Sequence, residues 1–104
     1  MVIVTTETIQ GKNIELISAV TGCMVQAKHI GKDIKAGFKS IIGGELRQYT
    51  EMMNEAQNVA TARLAENAKQ MGADAVVNLR YSIASGGTSE AMMVLASGTA
   101  VKFV

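Results

Sequence analysis

Chemistry in this chain would begin with Cys23 and His29, the only cysteine and the only histidine. A thiolate and an imidazole are strong ligands for soft and borderline metal ions. The same pair can act as nucleophile and general base. Their spacing opposes both uses. Six residues along an extended segment separate them by roughly 20 Å, too far for one tetrahedral site or for a hydrogen bond. A metal ion, soft or heavy, would have to take ligands from several subunits, for example one Cys23 from each around an axis. Thioethers from the seven methionines would complete the shell of an ion such as Cu(I). The plainer reading makes Cys23 a small inert hydrophobe, His29 a surface residue ahead of a helix, and the methionines core filler.

The second candidate is basic. Lys28, Lys32, Lys35 and Lys39 step by four, three and four, so on a helix they form one line with His29 at its start. Such a line is a candidate anion-binding patch, or simply a solvated face opposite Ile34, Phe38, Ile41 and Ile42. With two Tyr, two Phe and no Trp in the chain, there is no aromatic interleaving for base stacking, so no nucleic-acid partner is expected. Gly43-Gly44 precede a long helix, whose first amides bind anions in principle. No phosphate-loop lysine or GxGxxG spacing follows, however, and Glu45 in the expected first turn already answers the dipole. The pair reads as a tight turn between helices. One histidine cannot build a Ser-His-Asp constellation, and the carboxylates Glu51 and Glu55 lie along an exposed helix side. No catalytic residue is assigned, and the sequence leans away from an enzyme.

The elements that would position these groups follow from periodicity. Val2 to Thr5 is β-branched and reads as a strand, and Gly11-Lys12-Asn13 as a turn. From Ile14 to about Lys28 the chain is extended. Its apolar bias starts on the even positions and moves to the odd ones near Gly22, which predicts a bulge there. Ile34, Phe38, Ile41 and Ile42 mark a first helix. A second helix spans about Glu45 to Met71, with Tyr49, Met53, Ala56, Ala60, Leu64, Ala68 and Met71 as its apolar stripe and Gly72 as the residue that ends it. In Ala73 to Ala84 the odd positions Ala75, Val77, Leu79, Tyr81 and Ile83 form one apolar face. Ser85 to Ser89 reads as a hairpin loop. A last strand, from about Glu90 to Val104, is apolar on both faces.

Composition bounds what these elements can build. The 104 residues fit one domain, 1–104. Net charge is +1, so no global field argues for nucleic acid or membrane. No apolar run approaches the roughly 20 residues of a spanning helix, and no signal segment is recognisable. A lone cysteine suits a reducing cytoplasm. Strand, strand, helices and hairpin in that order give an α+β fold, an antiparallel sheet with helices on one face. Charged residues are only 18% of the chain against 48% hydrophobic, and the second sheet face is apolar with no helix left to cover it. Another copy of the chain is the expected cover, so the protein is expected to be a homo-oligomer.

Three stretches carry a family resemblance: Ala36-Gly37-Phe38 running into Ile42-Gly43-Gly44; Gly72-Ala73-Asp74-Ala75-Val76-Val77; and Met92-Met93-Val94 running into Ser97-Gly98-Thr99-Ala100-Val101. Their order and spacing resemble the YbjQ-like family of small uncharacterised bacterial and archaeal proteins, over essentially the whole chain. The resemblance implies a dodecin-like subunit assembled into a pentameric ring, and a family label of heavy-metal binding without an established activity. Relatives of this kind tend to carry an acidic residue near the position of Cys23, an asparagine near that of His29, and an acidic strand where this chain has Asn78-Leu79-Arg80-Tyr81-Ser82. A carboxylate metal site does not transfer to these residues.

Overall fold

The computed structural model describes residues 1–27, 41–42, 44–85 and 91–104. The elements are β1 (Val2–Ile3), β2 (Ile14–Ala27), β3 (Ile41–Ile42), β4 (Glu45–Leu46), α1 (Arg47–Gln70), β5 (Ala75–Ser85) and β6 (Ala91–Phe103). Four strands form one sheet in the order β1-β5-β6-β2, and β3 and β4 pair separately. With α1 on one face of the main sheet this is the expected α+β fold. The sheet is mixed rather than wholly antiparallel, because β1 lies parallel to β5. The N-terminal segment continues along that edge: the Val4 amide donates to Val76 O at 2.9 Å and the Leu79 amide to Val4 O at 3.0 Å.

Helix α1 forms where the sequence places alanine and leucine every fourth residue. Ala56, Ala60, Leu64 and Ala68 are fully buried, one face of the helix against β2 and β6, with only light contact on β5. The helix ends as predicted. Gly72 takes φ +80°, its amide donates to Lys69 O at 2.9 Å, and the Ala73 amide donates to Ala68 O at 3.1 Å. These are the two bonds of a Schellman cap, and only glycine adopts the required left-handed conformation without strain.

Four sequence expectations need correction. First, Ile41 and Ile42 do not close a helix: they pair with Leu46 and Glu45 as a hairpin, whose turn uses Gly44 at φ +86°. The turn at Gly44 therefore joins two strands, not two helices. Second, α1 starts at Arg47 and has no acidic residue in its first turn, so Glu45 lies before the helix in β4 and does not serve its dipole. Third, β2 is irregular between Leu16 and Ser18, not at Gly22. Gly22 sits in regular pairing opposite Ala96. It is glycine because α1 passes directly over it: a Cβ there would collide with the Leu64 amide nitrogen and the Ala60 carbonyl, and would lie 2.8 Å from Leu64 Cα. Fourth, the odd residues of β5 do not share a face. An extra residue between Val77 and Arg80 shifts the register against β6, and Asn78 takes φ 56° to allow it. Since side chains alternate strictly along a strand, one inserted residue sends all later ones to the other side. Ala75 and Val77 thus face away from α1, whereas Leu79, Tyr81 and Ile83 lie on its side.

Two clusters form the core. The larger lies between α1 and the sheet and includes Val20, Leu64, Val76, Leu79, Met92, Val94, Ala96 and Ala100. The smaller lies on the opposite face, where Ala75, Val77 and Val101 are covered by Val4, Ile9, Ile14 and Phe103. The segment 4–13 folds over that end of the sheet through a turn closed by Lys12 N to Ile9 O at 3.1 Å, with Gly11 at φ +79°. Lys12 Nζ then stands 5.1 Å from the centre of the Phe103 ring, a cation–π contact. Length limits further coverage. The 14 residues of β2 extend about 46 Å, and the 24 residues of α1 only about 36 Å.

Candidate functional site

Strand register decides which side chains the two sheet faces carry. Past the irregularity at residue 17, Val20, Gly22, Met24 and Gln26 of β2 lie opposite Gly98, Ala96, Val94 and Met92 under α1. The alternate residues Ala19, Thr21, Cys23 and Val25 therefore face away from the helix, opposite Thr99, Ser97, Leu95 and Met93. Beyond the reach of segment 4–13 this open face has no cover among the described residues. Val25 is 57% exposed, Met93 42%, and Leu16, farther along the same face of β2, 71%. Cys23 and Leu95, directly opposite each other, are half-buried. The result is an apolar patch on a sheet whose other face is a packed core.

The structure divides the sequence-predicted metal ligands. Cys23 is free and stands on the open face one diagonal step from Met93, a Cα separation of about 7–8 Å for such neighbours. Met92 is buried under α1, with Met24, Met52 and Met53 packed against the same core, so these four fill the core. Only Met93 shares a face of the sheet with the thiol. His29 and the lysines Lys28, Lys32, Lys35 and Lys39 lie outside the described residues, as does the tip of the loop after Ser85. Among the described residues no three His, Cys, Asp or Glu side chains are grouped to hold an ion.

Polar contacts at this site belong to the strand edges, a feature that residue-by-residue reading of motifs missed. Arg63 Nη1 donates to Cys23 O at 2.8 Å, and Asn67 Nδ2 donates to Thr21 O at 2.8 Å. Both side chains reach from α1 around the outer edge of β2. They stand four apart, one turn of the helix, facing carbonyls two apart on the strand; matched spacing was the signal available in the sequence. Beside them a shallow groove of about 320 Å³ runs between Ala19, Val20 and Thr21 of β2 and Asn67, Gln70 and Met71 of α1. On the opposite edge, Arg80 Nη1 donates to Leu79 O at 2.9 Å and to Thr5 O at 3.2 Å. Tyr81 is tied to α1 by a 2.6 Å hydrogen bond between its hydroxyl and Thr61 Oγ1. Thr61 itself donates to Gln57 O at 2.8 Å, which makes the tyrosine the donor to Thr61. Gln26 Oε1 is buried with no hydrogen-bond partner among the described residues.

Comparison with known proteins decides the family. The profile of the YbjQ family, described as "putative heavy-metal-binding", matches residues 1–104. The chain belongs to the YbjQ family. A UPF0145 protein of Vibrio campbellii is 54% identical over 107 residues, covering 100% of both chains. One from Clostridium novyi is 50% identical over 104 residues with the same coverage. One from Thermosipho africanus is 53% identical over 103 residues, covering 98% of this chain and 94% of that one. Among solved structures, a protein of unknown function from Pediococcus pentosaceus, assigned to the DUF74 family, superimposes with a TM-score of 0.72 over 100% of this YbjQ-family chain and 98% of its own, at 17% identity. That likeness is one of fold. No helix among the described residues is long and apolar enough to cross a membrane.

Proposed function

We propose that this YbjQ-family chain is a subunit of a homo-oligomer, five copies in the reading taken from the family resemblance, and that it serves as an assembly or binding protein rather than a catalyst. The open face of the sheet carries this reading. Leu16, Val25 and Met93 expose about half or more of their surface beside half-buried Cys23 and Leu95. Covering such side chains contributes on the order of 1 kcal/mol each, and a second copy is a partner always present. Light scattering at micromolar concentration tests it: a mass of several chains is expected, and a mass of one chain would overturn the proposal.

One observation favours a second reading, binding of a soft or heavy metal ion. Cys23 and Met93 are both soft ligands on the face proposed to meet other copies, so an assembly would gather several of each. Native mass spectrometry after Cu(I) addition, compared between the unaltered protein and Cys23→Ser, tests this. Ion retained in proportion to Cys23 supports it; retention unchanged by Cys23→Ser, or none, rejects it.

A further inference from the structure

The sheet has two unfinished edges, and their geometry is complementary. On one side β1 covers only Ala75 and Val76 of β5, and the N-terminal segment answers the amides of Asn78 and Leu79 through Thr6 O and Val4 O. Beyond that point no described strand covers the outer edge of β5 up to Ser85. Backbone direction along it is fixed by two anchors. Val76 O accepts from Val4, so Val76 turns its backbone groups outward and its neighbours in β5 turn theirs to β6, giving Thr99 and Val101 of β6 to β5. Alternation along β6 then assigns Ser97, Leu95 and Met93 to β5 as well. Their partners Arg80, Ser82 and Ala84 point inward, and Tyr81, Ile83 and Ser85 point outward, with no backbone partner among the described residues. Ile83 is 57% exposed and Tyr81 36%. On the far side of the sheet the same alternation turns the backbone groups of Ala19, Thr21, Cys23 and Val25 outward from β2. The bonds from Asn67 and Arg63 to Thr21 O and Cys23 O confirm the direction. Each of those carbonyls keeps a second lone pair, and the outward amides of β2 have no backbone partner among the described residues.

Side-chain parity selects how two such edges can join. The outward residues of β5, Tyr81 and Ile83, carry their side chains on the α1 face. The outward residues of β2 carry theirs on the open face. In an antiparallel joint outward residues stand opposite each other and share a face, which would put the helix of the second copy on the wrong side. In a parallel joint each outward residue bonds to the two neighbours of the residue opposite it, a stagger of one that keeps every α1 on the same side. Within one copy β2 and β5 already run in the same direction, because each is antiparallel to β6. Rotation about an axis along the strands therefore brings the β5 edge of one copy to the β2 edge of the next in parallel.

The geometry points to edge-to-edge joining of copies, in which the outer edge of β5 at Tyr81–Ser85 takes the outer edge of β2 of a second copy as a parallel neighbour, continuing the sheet across the subunit boundary. This rests on the homo-oligomer reading and goes beyond it by naming the joint. Such a contact is head-to-tail, and its repetition closes a ring where the rotation between copies divides a full turn. No unguarded edge is left to template aggregation.

Disulfide trapping tests the joint. Ser82 and Ala84 are exposed, lie on the open face, and would neighbour Cys23 of the next copy. Within one copy two strand spacings, about 10 Å, separate them from Cys23, beyond disulfide reach. Ser82→Cys and Ala84→Cys are each made with Cys23 present and with Cys23→Ser, then oxidised with diamide and run without reductant. Covalent species of three or more chains that vanish in Cys23→Ser are expected from at least one variant. Cross-linking that stops at two chains and persists without Cys23 would overturn the proposal in favour of β5 meeting β5. No cross-link from either variant, with the mass still that of several chains, would overturn it while leaving the oligomer reading intact. A single-chain mass would sink both. Hydrogen exchange on the unaltered protein keeps the test independent of the variants: the Tyr81, Ile83 and Ser85 amides must exchange as slowly as those of Ser82 and Ala84, and rapid exchange at those three positions overturns the joint.

Discussion

Replacing Gly22 by alanine probes the contact that holds α1 to the sheet. The added methyl would meet backbone on two sides, the Leu64 amide and the Ala60 carbonyl, with Leu64 Cα at 2.8 Å. No rotamer change relieves a clash with backbone, so α1 must move off β2 by an ångström or more, loosening Leu64 and the buried alanines around it. Overpacking of this kind costs about 1–3 kcal/mol, and the backbone nature of the obstacle puts Gly22→Ala at the upper end. Loss of glycine flexibility in the unfolded chain returns about 0.4–1 kcal/mol, leaving a net cost of about 2–3 kcal/mol. For a chain of this length that lowers the melting temperature by about 10–15 °C. The assay is urea unfolding followed by circular dichroism, at one fixed protein concentration because the proposed association would shift the midpoint. Gly98→Ala is the comparison. Its obstacle is the movable Val76 Cγ1 at 2.6 Å, with Val77 O at 3.0 Å, so its cost is smaller. A loss below about 1 kcal/mol for Gly22→Ala, or its rescue by Leu64→Ala, would refute the reasoning, because truncating a side chain cannot clear a backbone clash.

Further outcomes follow from the same structure. Asn78→Val places a β-branched residue at φ 56° and should cost about 1–3 kcal/mol, whereas Asn78→Gly should be near neutral; denaturant midpoints separate the two. Arg63→Ala and Asn67→Ala each remove a hydrogen bond to the β2 edge at an exposed position, and each should lower stability by about 0.5–1.5 kcal/mol in the same assay. Leu64→Ala, at a fully buried site, should cost about 2–5 kcal/mol. Val25→Glu on the open face should leave the far-ultraviolet circular dichroism unchanged and, for the proposed homo-oligomer, lower the mass in light scattering; an unchanged mass would show that this face meets no other copy.

Much of the framework was legible in the residues. The four-residue spacing of Ala56, Ala60, Leu64 and Ala68 announced the face of α1, Gly72 announced its end, and extended apolar stretches announced the long strands. An α+β class and the apolar second face follow from those patterns, because periodicity and glycine punctuation are local properties. The candidate site was less legible. Cys23 and Met93 are 70 positions apart in the chain, and nothing in their types says that they share a face.

The division has one physical cause. What the sequence determines alone is whatever depends on neighbours within a turn or a strand: the helix and its cap, and the strands. What only the tertiary structure decides is which side each strand residue takes. One inserted residue at Ile17 and another beside Asn78 reverse that choice for every residue beyond, and those irregularities are set by pairing with β6. The same pairing explains Gly22, read locally as a bulge but required by a helix crossing from about 40 residues away. It also sets the parity of the two outer edges on which the proposed joint between copies rests.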